Sequence, residues 1–154
     1  GETLPAIGIG TSRRYEVEPT PESVAPLKDA VRTFVDLGGS VIDTAPSYGS
    51  AEDVLGLILA EPGLRQKIFL ASKVDTTGRD ATLAEFDRSL KRMKVDSLDP
   101  VAVHNLIDVT EHLATLRAPQ TRQPIPDVGA TVRRYHQPAP LEAPMNRASP
   151  HFLQ

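Results

Sequence analysis

The stretch Val41-Ile42-Asp43-Thr44-Ala45-Pro46-Ser47-Tyr48-Gly49 decides the fold of this chain. Two apolar β-branched residues start a strand, and an acid that looks buried ends it. Pro46 turns the chain, and a tyrosine follows on the loop before Gly49. Two later segments end in the same manner: Ala71-Ser72-Lys73 and Val101-Ala102-Val103-His104-Asn105. An acid, a phenol, an amine and an imidazole thus come from three successive strand ends. Polar residues gathered at carboxyl ends of strands are the mark of an active site on a parallel α/β barrel.

Outward from that stretch the chain alternates. Leu4 to Gly10 reads as a short strand. Gly8 and Gly10 open a dinucleotide fingerprint that fails, because Arg13 stands where a third glycine is needed and no helix follows directly. Val24, Leu27, Val31, Phe34 and Val35 share one helical face, with Ser23 as expected N-cap and Pro26 in the first turn. Gly38-Gly39 ends that helix. Ser50 caps a second helix to Ala60, with Val54, Leu55, Ile58 and Leu59 inward and Glu52 and Asp53 at its positive end. Lys67 to Lys73 is a third strand. Leu83, Phe86, Leu90 and Met93 mark a third helix, capped by Asp80. Leu98 to Val103 is a fourth strand, and Thr110 to Leu116 a short helix. Strands separated by helices and short connections predict βαβ units with a parallel sheet.

The texture then changes. Seven of the 14 prolines fall between Pro119 and Pro150. Ile125 to Thr131 is expected as an edge or irregular strand, because Pro124 and Pro126 flank its start. Leu141 to Ala148 is a weak helix interrupted by Pro144, and Phe152-Leu153 starts a sixth strand. The expected organisation is one domain over 1–154 with a divergent proline-rich segment at 118–150.

Composition narrows the function. The chain has 154 residues, 24% of them charged and 40% hydrophobic, which suits a folded domain. A net charge of -3 gives no reason to expect nucleic acid or a membrane surface as partner. There is no cysteine, so neither disulfides nor thiolate metal sites arise. His112, His136 and His151 lack metal-ligand spacing, and no metal is expected. Arg13-Arg14 is followed by no apolar run, so it does not make a twin-arginine signal. Starting at Gly1, the chain is expected to be a processed or partial product. A cytoplasmic location is expected, or a periplasmic one if an export signal preceded Gly1.

The four polar groups suggest a chemistry. An ammonium beside a phenol favours the phenolate, so Lys73 would tune Tyr48 as a proton donor, with Asp43 holding Lys73 charged. Tyr48 would protonate a carbonyl oxygen, and His104 would orient or polarise it. A hydride from a nicotinamide fits the remaining role. Taken singly each residue has a plainer reading: Asp43 as a cap or core ion pair, Tyr48 as packing, Lys73 as a solvated strand end, His104 as a structural histidine.

The sequence resembles the aldo-keto reductase family. Leu4 to Thr11, Ile42 to Gly49, Ala71 to Lys73, Ser89 to Asp96 with Asp99, and His104-Asn105 carry the likeness. It is similar in particular to a bacterial subgroup whose fourth strand ends His-Asn-Leu. The resemblance implies a (β/α)8 TIM barrel, NADP(H) as cofactor, and reduction of small aldehyde or ketone carbonyls with Tyr48 as general acid. Asp43, Tyr48, Lys73 and His104 fall on the family's catalytic tetrad. The resemblance further implies cofactor contacts from Thr11, Asp43, Asn105, Thr131 and Gln154. About six βα units are present by this reading, so an incomplete barrel is expected. Such a chain would be poorly stable or self-associating through its open edges. A proline-rich run replaces the family's usual residues at 118–127, which suggests local damage or a shifted frame. Two other readings stand beside a reductase: an inactive, truncated member that binds at most a nucleotide or a partner, and a lyase with a Lys73 Schiff base.

Overall fold

The computed structural model describes residues 3–117. Four strands run parallel in chain order: β1 (Gly8–Gly10), β2 (Val41–Asp43), β3 (Phe69–Val74) and β4 (Val101–Val103). Helices α1 (Pro21–Asp36), α2 (Ala51–Leu59) and α3 (Arg79–Met93) connect them, and α4 (Val109–Arg117) follows. The parallel sheet with alternating helices matches the expected barrel class, present here as a partial barrel. The expected strand at 125–131, helix at 141–148 and sixth strand lie outside the described residues.

The sheet's two faces differ. Ile42, Leu70 and Val74 point to the helix side and pack with Val54, Leu55 and Ile58 of α2 and Leu90 and Met93 of α3. Val41, Asp43, Phe69, Ala71 and Lys73 alternate with them along β2 and β3 and are only half-buried. Side chains alternate across a strand, so Asp43 and Lys73 share this second face. Register brings them near one another, because Asp43 pairs with Ala71, two residues before Lys73.

Element ends differ from expectation in instructive ways. The N-cap of α1 is Thr20 rather than Ser23. Thr20 and Ser23 instead form a reciprocal capping box, each side chain on the other's backbone N–H. Pro26 therefore lies inside α1 and not in its first turn. The N–H it lacks would have met the carbonyl of Glu22, an exposed residue, where water can take over. Gly38 ends the helix as expected, with φ of +88°, a conformation costly for residues bearing a Cβ. Ser50 precedes α2 but makes no side-chain cap, since its hydroxyl donates to the carbonyl of Val17 at 2.6 Å. Gly78, not Asp80, occupies the cap position of α3.

The strands are shorter than hydrophobic runs suggest. Residues 65–67 form a 3₁₀ turn, so β3 starts at Phe69. At the entrance to β4, Asp99 replaces a ladder residue. Its carboxylate accepts from the Leu70 N–H at 2.7 Å while its own N–H donates to the Leu70 carbonyl at 2.9 Å. Pro100 has no N–H to extend the ladder, and β4 pairs from Val101. Arg65 locks this junction through the carbonyls of Ile68 and Ser97 and the carboxylate of Asp99.

Candidate active site

Lys73 is the anchor. Its ammonium donates to Asp43 Oδ2 at 2.6 Å and to the Thr44 carbonyl at 2.8 Å. The Lys73 side chain is 16% exposed while Asp43 is 48% exposed, so the acid is not buried as expected. It lies at the rim, on the half-open face of the sheet. Lys73 Nζ stands over the Tyr48 ring, 5.2 Å from its centroid. The ammonium thus meets the phenol through the ring face, a cation–π arrangement. The imidazole of His104 is edge-on to the same ring, with centroids 6.0 Å apart. All four expected catalytic residues therefore share one neighbourhood at the strand ends.

The loop carrying Tyr48 is held from α3. Arg92 of α3 donates to the carbonyls of Pro46 and Gly49, to Asp53 Oδ2 at 2.9 Å and to Glu52 Oε2 at 3.2 Å. Glu52 is 1% exposed and also accepts from the Ser72 hydroxyl at 3.2 Å. Helical spacing offered a signal for it: Glu52 lies three residues before Leu55, on the inward face. Burial raises the carboxyl of Glu52 above its ordinary range, with the Arg92 charge and the Ser72 hydroxyl opposing.

That shift has a stability consequence. The folded chain keeps a proton on Glu52 at a pH where the unfolded chain has released it. The stability that Glu52 contributes then falls as pH rises beyond the ordinary glutamate value of about 4.3. Glu52→Gln is expected to flatten that decline, read as urea midpoints on the alkaline side of that value. Parallel curves for the two proteins would remove Glu52 as a source. Burial also raises Glu85, so some decline is expected to persist in the variant.

The expected cofactor contacts separate. Thr11 is fully buried, and its hydroxyl bonds to the Asp43 carbonyl at 3.1 Å and Thr44 Oγ1 at 2.9 Å. Thr11, expected as a cofactor contact, thus supports the end of β2 with its side chain. Asn105 is exposed in the turn after β4, with φ of +52°, a region asparagine tolerates. Thr131 and Gln154 lie outside the described residues. Among the described residues no three His, Cys, Asp or Glu side chains gather as a metal site. No helix among them is long and apolar enough to cross a membrane.

Parallel strands, helices on one face, and a polar cluster at the strand ends of the other define a β/α-barrel protein with an enzyme-type site. The chain belongs to the Aldo/keto reductase family, whose profile matches residues 6–123. It is 35% identical over 107 residues to glyoxal reductase of Bacillus subtilis, spanning 68% of this chain and 36% of that protein. It is 38% identical over 106 residues to methylglyoxal reductase YeaE of Escherichia coli, spanning 66% and 36% respectively. Among solved structures it resembles an aldo-keto reductase from Klebsiella pneumoniae in complex with NADPH. That match has a TM-score of 0.64 and 33% identity, over 73% of this chain and 40% of the other. The chain thus spans about a third of the length of these curated relatives, 36% in each case.

Proposed function

We propose that this chain supplies the proton-donating half of an NADP(H)-dependent reductase acting on small aldehydes or ketones. The observation that carries the reading is the clamped ammonium of Lys73, 2.6 Å from Asp43 and over the Tyr48 ring. The bacterial relatives are named as glyoxal and methylglyoxal reductases, which supports the substrate class. The NADPH complex of the Klebsiella relative supports the cofactor.

Tyr48 is the general acid. Its phenolic proton passes to the carbonyl oxygen as the carbon is reduced, so no alkoxide is left uncompensated. Lys73 holds a fixed positive charge beside the ring, where negative charge develops on the phenol oxygen. Asp43 and the Thr44 carbonyl take two of the three ammonium protons, which fixes the amine in place. His104 flanks the phenol and orients the reacting oxygen. NADPH, when bound, supplies the hydride. The donor set fits that group: the half-exposed carboxylate of Asp43 suits ribose hydroxyls and the exposed amide of Asn105 suits a carboxamide. Asp43 also argues against a Schiff-base lyase, because it engages the Lys73 amine in an ion pair that would have to break before the amine could attack a carbonyl.

The test is NADPH consumption with glyoxal or methylglyoxal as the carbonyl compound. The expected result is loss of NADPH absorbance that requires the carbonyl compound. Borohydride-dependent covalent trapping of a carbonyl compound at Lys73, with no NADPH consumption, would replace the reductase by the lyase reading.

A further inference from the structure

His104 has a partner outside the four-residue cluster. Its Nδ1 lies 3.3 Å from Asp75 Oδ2 and 3.3 Å from the Ser47 hydroxyl. Asp75 follows β3, and nothing in the reductase mechanism above uses it. A carboxylate oxygen only accepts, so a hydrogen bond at this contact requires a proton on Nδ1. We infer that Asp75 is a positioning residue that holds His104 in its Nδ1–H tautomer, leaving Nε2 bare when the imidazole is neutral. The inference deepens the reductase reading and rests on it for its bearing on catalysis.

Asp75 is equipped to remain a carboxylate. Glu85, from α3, lies behind it, and Glu85 Oε2 accepts from the Asp75 N–H at 2.9 Å and from the Thr76 N–H at 3.4 Å. Burial pushes Glu85 up, with the neighbouring Asp75 charge adding to it. Asp75 goes the other way: burial opposes its charge, but hydrogen bonds from Glu85, His104 and Ser47 together bring it down. Of the two carboxyl groups, Asp75 is the one lowered, and it is the one that faces His104.

The consequence is specific. A neutral His104 held this way accepts a hydrogen bond at Nε2, as from the Tyr48 phenol or an alcohol product. It donates at Nε2 to a carbonyl oxygen only as the imidazolium. The tautomer thus decides whether a neutral His104 meets a bound oxygen as an acceptor or as a donor.

The test is histidine ¹⁵N NMR on the full chain, at about pH 8, above the ordinary imidazole range. The chain has four histidines, and the spectrum of His104→Gln identifies the signals of His104 by their loss. The expected wild-type result is a pyrrole-type Nδ1 and a pyridine-type Nε2. In Asp75→Leu the populations should invert, to mainly Nε2–H. Should Asp75→Leu fail to fold, Asp75→Asn keeps the shape, and its amide donors can face a bare Nδ1, so a mixed population is expected. Wild-type His104 protonated on Nε2, or a tautomer unaltered in a folded Asp75 variant, overturns the inference. The readout uses neither NADPH nor a carbonyl compound. A chain that passes this test but consumes no NADPH sinks only the reductase reading, and the converse pattern sinks only this one.

Discussion

Tyr48→Phe is expected to lower carbonyl reduction by roughly 10²–10⁴-fold, the span that a positioned general acid contributes. The substitution removes one oxygen and keeps the ring. The ring contacts with Lys73 and His104 depend on that ring and not on the hydroxyl. Packing around the loop should therefore persist, and NADPH binding should be unaffected. The loss should appear in kcat, because the phenolic proton is needed only as negative charge develops on the substrate oxygen. Steady-state rates of NADPH consumption and a fluorescence titration of NADPH separate the two effects. A variant with the wild-type kcat would show that another group delivers the proton.

The second large effect is on stability, at Gly56. In an exposed helix, replacing glycine by alanine stabilises by about 1 kcal/mol. Gly56 is in the middle of α2, so propensity alone predicts a gain. The packing predicts the reverse. A Cβ at position 56 would meet the Arg92 carbonyl oxygen at 2.2 Å and the Met93 backbone at 3.2 Å. Those are backbone atoms, so relief requires α2 and α3 to move apart. Separation would also pull Arg92 from Glu52 and loosen its hold on the carbonyls of Pro46 and Gly49. Overpacking of this kind costs typically ~1–3 kcal/mol, a large share of the ~5–15 kcal/mol that holds a domain folded. Gly56→Ala is thus expected to lower the urea midpoint, and to impair the site through the Tyr48 loop. A raised midpoint would mean that the helices are not in backbone contact.

Much of this architecture is legible because local rules suffice for it. The inward faces of α1, α2 and α3 follow from apolar spacing, and Val31, Leu55, Ile58, Leu90 and Met93 are buried as that spacing implies. Where local rules compete, the reading slips. Ser23 and Thr20 are both competent caps, and the reciprocal bond between them selects Thr20. Ser50 is a good cap by type, but Val17, distant in sequence, takes its hydroxyl. Asp99 and Pro100 shorten β4 through a side chain bonded to the neighbouring strand, which no propensity encodes.

The same division runs through the site. Asp43, Tyr48, Lys73 and His104 were legible because each stands at or just past a strand end, and parallel strands bring such ends to one rim. Glu52, Arg92, Asp75 and Glu85 were not. They sit on helices or in a connection, where charged residues ordinarily face water. The order of strands and helices, and which residues reach the rim, follow from local sequence, since periodicity and turn chemistry are properties of short segments. The polarity of the site emerges only on packing: Asp43 half-exposed, Thr11 sealed beneath it, and Asp75 against His104. The reason is that burial and charge pairing depend on segments tens of residues apart meeting at hydrogen-bond distance, and that requires the packed chain.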